Sequence, residues 1–142
     1  MKTVAQLLKL KPEGVISIRP DAPVLDVLKL LAEKDLGAVL VMDGARLLGI
    51  VSERDYARKV ELKGRSSNAT LASEIMTRDV VCVTPGQTNE DCMALMTGKR
   101  LRHLPVIQNE KVIGVLSIGD LVKDAISEQQ FIIEQLEHYI HR

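Results

Sequence analysis

Gly49-Ile50-Val51-Ser52-Glu53-Arg54-Asp55 and Gly114-Val115-Leu116-Ser117-Ile118-Gly119-Asp120 are one pattern written twice, 65 residues apart. In each copy a glycine opens an apolar run that gives way to Ser-x-x-Asp, the composition of a strand entering a helix. Working outward at the same shift, Val41 falls on Val106, Leu36 on Leu101, Leu30 on Leu95, Asp26 on Asp91, Pro20 on Pro85 and Val15 on Val80, without a gap. Repetition over that length means one supersecondary unit used twice. Further upstream, Thr3-Val4-Ala5 resembles Thr70-Leu71-Ala72 at a shift of 67, so two extra residues sit near Lys11 to Gly14 and each repeat is expected to carry its own lead-in segment.

Within the first copy, Val15, Ile16 and Ile18 form a short β-rich run stopped by Pro20-Asp21-Ala22-Pro23. Val24, Val27, Leu28 and Leu31 recur at helical spacing. Ala38 to Met42 is a continuous apolar run ended by the hairpin signal Asp43-Gly44, and Leu47 to Val51 reads as the return strand. Ser52 to about Leu62 reads as a closing helix. The second copy predicts a strand at Val80 to Val83, a helix opening at Thr88-x-x-Asp91, a strand at Leu104 to Ile107, a turn at Gln108 to Glu110 and a strand at Val112 to Leu116. The fold class is therefore α/β of the α+β kind: two βαββα repeats packed with pseudo-two-fold symmetry, plus a C-terminal helix. The expected organisation is residues 1–66 for the first repeat with lead-in and linker, 67–125 for the second, and 126–142 for a C-terminal amphipathic helix. Units this small need to bury their apolar faces on each other, and the seam between them is where a ligand is expected.

Composition narrows the function. The 142 residues are 46% hydrophobic and 27% charged, the balance of a folded globular protein. Lysine plus arginine equals aspartate plus glutamate at 19 each, so no overall positive field gathers nucleic acid or an anionic membrane. Two cysteines without a CxxC pair argue against a disulfide scaffold or a structural zinc site. The first ten residues lack a signal-peptide core, no stretch approaches about 18 uninterrupted apolar residues, and the cytoplasm is the expected compartment.

The duplicated Gly-x-x-Ser-x-x-Asp segments, Glu74-Ile75-Met76-Thr77 ahead of the second copy, and Arg102-His103-Leu104-Pro105-Val106 entering its middle strand closely resemble a tandem pair of cystathionine β-synthase (CBS) domains, a Bateman module, over residues 1 to 125. That resemblance implies an adenosine-containing ligand: AMP first, with ADP, ATP, NAD(H) or S-adenosylmethionine as alternatives. It also implies a disc-shaped homodimer and a regulated protein whose identity the sequence does not carry. Chemistry agrees with the ligand class, because a carboxylate accepts two hydrogen bonds from a ribose diol and a helix start favours phosphate. Asp55 and Asp120 are the expected ribose anchors, with Ser52 and Ser117 against ribose or phosphate. Carried over by position, one cleft combines Ser52, Arg54 and Asp55 with Thr77, Val81, Arg102 and His103. The other combines Ser117 and Asp120 with Ile16, Gly37 and Ala38. Arg54, Arg102 and His103 supply cationic donors to the first, where the matching positions of the second are Gly119, Gly37 and Ala38, so the Asp55 cleft is expected to prefer the more anionic ligand.

Each special residue also has a plainer reading. Both Ser-x-x-Asp frames fit a helix capping box whether or not a ligand binds. Gly49 and Gly114 either permit close ligand approach or mark a strand irregularity. His103 reads as a phosphate contact, an acid or base, or an ordinary half-exposed histidine. His138 and His141 read as residues of a surface helix without a third metal ligand, and Cys82 and Cys92 read as packing residues rather than a redox pair. Met42, Met76, Met93 and Met96 read as core filler. With only Tyr56, Phe131 and Tyr139 aromatic, adenine is expected to rest on aliphatic side chains and backbone amides. No activated nucleophile, Walker loop, metal-ligand cluster or catalytic residue is evident, which favours a binding module over a nucleotide-acting enzyme, with a ligand-free interaction scaffold as the remaining alternative. Finally, Phe131, Ile132, Ile133, Leu136, Tyr139 and Ile140 make too wide an apolar stripe for a lone exposed helix, and a dimer interface or the repeat faces are expected to cover it.

Overall fold

In the computed structural model, which describes residues 1–12 and 14–141, the chain runs α1 (Val4–Lys9), β1 (Ser17–Ile18), α2 (Val24–Lys34), β2 (Ala38–Asp43), β3 (Arg46–Ser52), α3 (Glu53–Tyr56), a π-helical turn (Ala57–Glu61), α4 (Ala72–Ile75), α5 (Asn89–Lys99), β4 (His103–Gln108), β5 (Lys111–Ser117) and α6 (Ile118–Ile140). The mixed α+β architecture and the C-terminal helix are those expected. The elements gather into two compact units: Val15–Val80, and Met1–Gly14 together with Val81–Arg142.

In the Val15–Val80 unit, β1 lies parallel to β2, and β2 pairs antiparallel with β3 so that Ala38 faces Ser52 and Val41 faces Gly49. The register shifts between Val41 and Met42, which leaves Leu48 as the extra residue of a bulge. Helix α2 buries Val24, Val27 and Leu31, the positions its sequence spacing assigns to one face. They meet Val39, Val41 and Val51 from the sheet, Val60 from the π turn, and Ala72, Ile75 and Met76 from α4. The closing helix expected over Ser52 to Leu62 thus forms as one α-turn followed by a π turn, with Val60 buried by that change of pitch.

The other unit repeats the plan. Strands β4 and β5 pair with His103 opposite Ser117 and Val106 opposite Gly114, and the register shifts at the equivalent place, between Val106 and Ile107. Helices α2 and α5 each end on a non-glycine residue in the left-handed region, Asp35 at φ 53° and Arg100 at φ 55°, again 65 residues apart. The strand expected at Val80 to Val83 contracts to a single parallel bridge, with the Val83 N–H donating to Pro105 O at 2.9 Å and the Ile107 N–H to Val83 O at 2.8 Å. The core joins Val4 and Leu7 of α1 to Val83, Cys92, Met96, Leu104, Val106, Leu116 and Leu121.

The lead-in segments distinguish these units from the contiguous repeats drawn on the sequence. Helix α1 packs with the second repeat, and α4 with the first. Each lead-in is received by the glycine of the duplicated motif. A Cβ on Gly114 would stand 2.6 Å from Leu8 Cδ2, and one on Gly49 would stand 2.8 Å from both Met76 Sδ and Thr77 O. Close approach is therefore the reason for both glycines, but the approaching group is the chain itself. The α1 side is held further by Asp124, whose carboxylate takes Lys2 Nζ at 2.8 Å and Asn89 Nδ2 at 2.6 Å. Burial would raise that carboxyl, but Lys2 and Asn89 outweigh burial and hold it below the usual carboxylate range. Helix α6 runs unbroken from Ile118 through Ile140, so the closing helix of the second repeat and the C-terminal segment are one element.

Candidate functional site

The Ser52 frame sits where β3 ends and α3 begins. Asp55 Oδ2 accepts the Ser52 N–H at 2.9 Å and the Ser52 hydroxyl at 3.1 Å, while the Asp55 N–H donates to Ser52 Oγ at 3.1 Å. This is a complete capping box. Its other oxygen, Oδ1, meets Lys59 Nζ at 3.1 Å and the Thr77 hydroxyl at 3.4 Å. Thr77 is placed there by its backbone, which exchanges two hydrogen bonds with Ile50: Ile50 N–H to Thr77 O at 3.0 Å and Thr77 N–H to Ile50 O at 2.9 Å. Lys59, one turn beyond Asp55, also donates to Ile75 O at 2.9 Å and so ties the end of α4 to the same carboxylate.

The Ser117 frame repeats the cap: Asp120 Oδ2 accepts the Ser117 N–H at 2.8 Å and the Asp120 N–H donates to Ser117 Oγ at 3.2 Å. What surrounds it differs. Lys11 Nζ reaches Asp120 Oδ2 at 2.8 Å and Val115 O at 2.7 Å. Val115 is the counterpart of Ile50, so a lysine ammonium occupies the place that a threonine backbone N–H holds in the other frame. Burial alone would raise the Asp120 carboxyl; the Lys11 ammonium and the Ser117 amide outweigh it and hold it below its ordinary value. His103, opposite Ser117, is pushed the other way from a cation: burial first, then Lys11 and Arg102, lower it below the ordinary imidazole value against the pull of Asp120. That direction works against the cation counted from the sequence and favours a neutral imidazole that both donates and accepts.

Ser52, Asp55 and Thr77 are thus brought together within one unit, with Arg54 exposed on α3 beside them. Val81, Arg102 and His103 belong to the other unit, where the Arg102 carbonyl accepts the Ile118 N–H at 2.9 Å at the start of α6. Ile16, Gly37 and Ala38 lie in the Val15–Val80 unit. There Ala38 pairs with Ser52, and Gly37 O accepts the Glu53 N–H at 3.0 Å, the counterpart of the Arg102 bond. Lys11 and Lys59 were missed by sequence reasoning. Lys59 carried a signal, since i,i+4 from an aspartate on a helix is a known pairing. Lys11 carried none, because it falls in the stretch where the two copies lose alignment.

Cys92 is buried and Cys82 half-buried, and burial pushes both thiols up, which suits packing rather than reactivity. His138 and His141 are exposed on and just after α6, and no group of three metal-ligating side chains occurs among the described residues. An open groove of about 570 Å³ runs along α5, lined by Gln87, Asp91, Ala94, Leu95, Gly98 and Lys99. It contains neither Ser-x-x-Asp frame and, lying on the outer face of a helix, offers no enclosure for a nucleotide. No helix among the described residues is long and apolar enough to cross a membrane.

Two copies of the CBS domain family model match residues 12–62 and 72–126. The chain belongs to the CBS domain family, and is a tandem CBS pair. It is 38% identical over 125 residues to the mitochondrial CBS domain-containing protein CBSX3 of Arabidopsis thaliana, a match covering 84% of this chain and 61% of that relative. The chain thus spans under two-thirds of that protein's length. A protein with CBS domains from Burkholderia ambifaria has a solved structure that superposes at a TM-score of 0.87 with 53% identity, covering 90% of this chain and 96% of the other. A structure of CBSX2 in complex with AMP superposes at 0.73 with 28% identity, covering 91% and 99%.

Proposed function

We propose that this chain is a regulatory sensor of adenine nucleotides that binds an AMP-type ligand and releases it unaltered, acting as a homodimer whose ligand-dependent change a protein partner reads. The observation that supports this best is the pair of Ser-x-x-Asp frames, each at a strand-to-helix junction with its carboxylate held by a cap, in a chain of the same family as CBSX2, whose solved complex holds AMP. In this proposal Asp55 and Asp120 take the ribose diols, and Ser52 and Ser117 take ribose or phosphate. The Asp55 set is completed by Arg54, Thr77, Val81, Arg102 and His103, and the Asp120 set by Ile16, Gly37 and Ala38, the grouping that the family pattern implies. To these Lys11 adds a cation beside Asp120, which gives that set an affinity for phosphate that its sequence counterparts lacked. The proposed compartment is the cytoplasm.

Thermal shift and calorimetry with AMP, ADP, ATP, NAD, NADH and S-adenosylmethionine test the reading. A ligand that binds only the folded state raises the unfolding midpoint with its concentration, and the nucleotide is recovered chemically unchanged. Asp55→Ala and Asp120→Ala are each expected to weaken one class of site by about ten- to a hundredfold, the worth of lost hydrogen bonds to a charged group. No shift with any of the six ligands, or product formation, overturns the proposal.

A further inference from the structure

Asp120 carries a removable occupant. Its Oδ2 accepts the Ser117 N–H at 2.8 Å and Lys11 Nζ at 2.8 Å, and an ionised carboxylate offers about two acceptor positions on each oxygen. A ribose diol that places one hydroxyl on each oxygen therefore needs one of these two donors to leave. The Ser117 amide is fixed by the start of α6 and its capping box. The Lys11 ammonium is held by Asp120 and by Val115 O at 2.7 Å, and it ends a flexible four-carbon stem. Both partners of the ion pair are partly open to water, at 33% and 26% exposed. In the Asp55 frame the carbonyl equivalent to Val115 O, that of Ile50, is taken at 2.9 Å by the Thr77 backbone N–H, which has no stem to swing on.

We infer that Lys11 is the specificity-determining residue of the Asp120 set: its ammonium leaves the carboxylate for the phosphate of an incoming ligand, so this set takes adenine nucleotides and discriminates against adenosine and S-adenosylmethionine. The inference rests on the proposed role of Asp120 as a ribose anchor. Charge supports the exchange. A phosphate near Asp120 meets a like charge, and a cation between the two offsets that repulsion. The other residues assigned to this set, Ile16, Gly37, Ala38 and Ser117, carry no charge. Adenosine brings the diol without the phosphate, so it breaks the Lys11–Asp120 pair and returns nothing to the ammonium. S-adenosylmethionine adds a sulfonium, like in sign to the group it has to displace. AMP offers the released ammonium a charge-assisted hydrogen bond in place of the one lost. The movement is also local, because α1 stays anchored through Val4 and Leu7 in the core and through Lys2 at Asp124.

Calorimetry of the full chain carrying Asp55→Ala, which leaves the Asp120 class of site to be read, compares AMP, adenosine and S-adenosylmethionine with and without Lys11→Met. Lys11 lies outside the core, so the variant is expected to fold, and circular dichroism checks it. The ratio of AMP to adenosine affinity is expected to fall by at least about tenfold, the worth of a hydrogen bond between charged groups. Part of that fall is a gain: adenosine is expected to bind the variant about threefold more tightly, because no ion pair has to be broken. A lysine that only braced the lead-in would change both affinities alike. Lys11→Arg keeps the charge and is expected to keep the preference for AMP. A ratio unchanged by Lys11→Met, or lost equally in Lys11→Arg, overturns the inference and leaves the proposed function standing. So does AMP that binds the wild-type chain but not the Asp55→Ala chain. A wild-type chain that binds none of the three ligands overturns both.

Discussion

The two Ser-x-x-Asp frames share their caps and differ in how the preceding segment is clasped to them. In the Val15–Val80 unit the clasp is a strand-like exchange between Thr77 and Ile50, assisted by Lys59 reaching back from the closing helix to Ile75 O. In the other unit the polarity is reversed. The position equivalent to Lys59 is Asp124, and lysines come from the lead-in: Lys2 to Asp124, Lys11 to Val115 O and Asp120. A duplicated frame therefore keeps its local geometry while its electrostatic surroundings diverge, because the cap is made by four consecutive residues and the surroundings by a separate lead-in segment, which for Asp120 lies 109 residues away at Lys11.

The sharpest way to break this comparison is at the paired glycines. Gly49→Ala forces a Cβ against the Thr77 carbonyl, on a residue whose backbone exchanges two hydrogen bonds with Ile50, and is expected to cost about 2–3 kcal/mol of stability. Gly114→Ala meets only the flexible end of Leu8 and is expected to cost about 1 kcal/mol, both read from denaturant midpoints. Equal costs would show that the two clasps are equally rigid.

A smaller effect is expected from Lys11→Met, about 1 kcal/mol at neutral pH, since the ion pair is partly exposed and the Val115 carbonyl can recover water. Its signature lies in pH dependence. Because the folded Asp120 carboxyl lies below its unfolded value, its contribution is present above about pH 4 and is lost as pH falls through the folded value. Without Lys11, burial is the largest remaining influence, so the acid limb of stability moves to higher pH. Thr77→Val removes a long hydroxyl contact of 3.4 Å but leaves the backbone exchange, and is expected to matter less.

The smallest effect belongs to His103. Its folded value is depressed, so the unfolded chain takes up a proton first, near pH 6.5, and stability falls as pH drops from there toward the folded value. His103→Gln is expected to flatten stability between pH 7 and 5 by a few tenths of a kcal/mol. Chemical denaturation at both pH values reads it, and an unchanged slope would mean that another group titrates there.

The sequence by itself determined the repeat, the order of elements, the hairpins and both caps. These depend on periodicity and on residues within a few positions of one another: Asp43-Gly44 makes its turn and Ser52 finds Asp55 wherever the rest of the chain lies. The family followed from the same short-range pattern. Only the tertiary structure decided that α1 packs with the second repeat and α4 with the first, that Gly49 and Gly114 make room for those segments, that Lys11 stands beside Asp120, and that burial with Lys11 and Arg102 disfavours the charged form of His103. Each of these turns on contacts or burial between residues distant in sequence. Their energies come from which apolar faces close and which charges lose water, and neither quantity is written in the local order of residues.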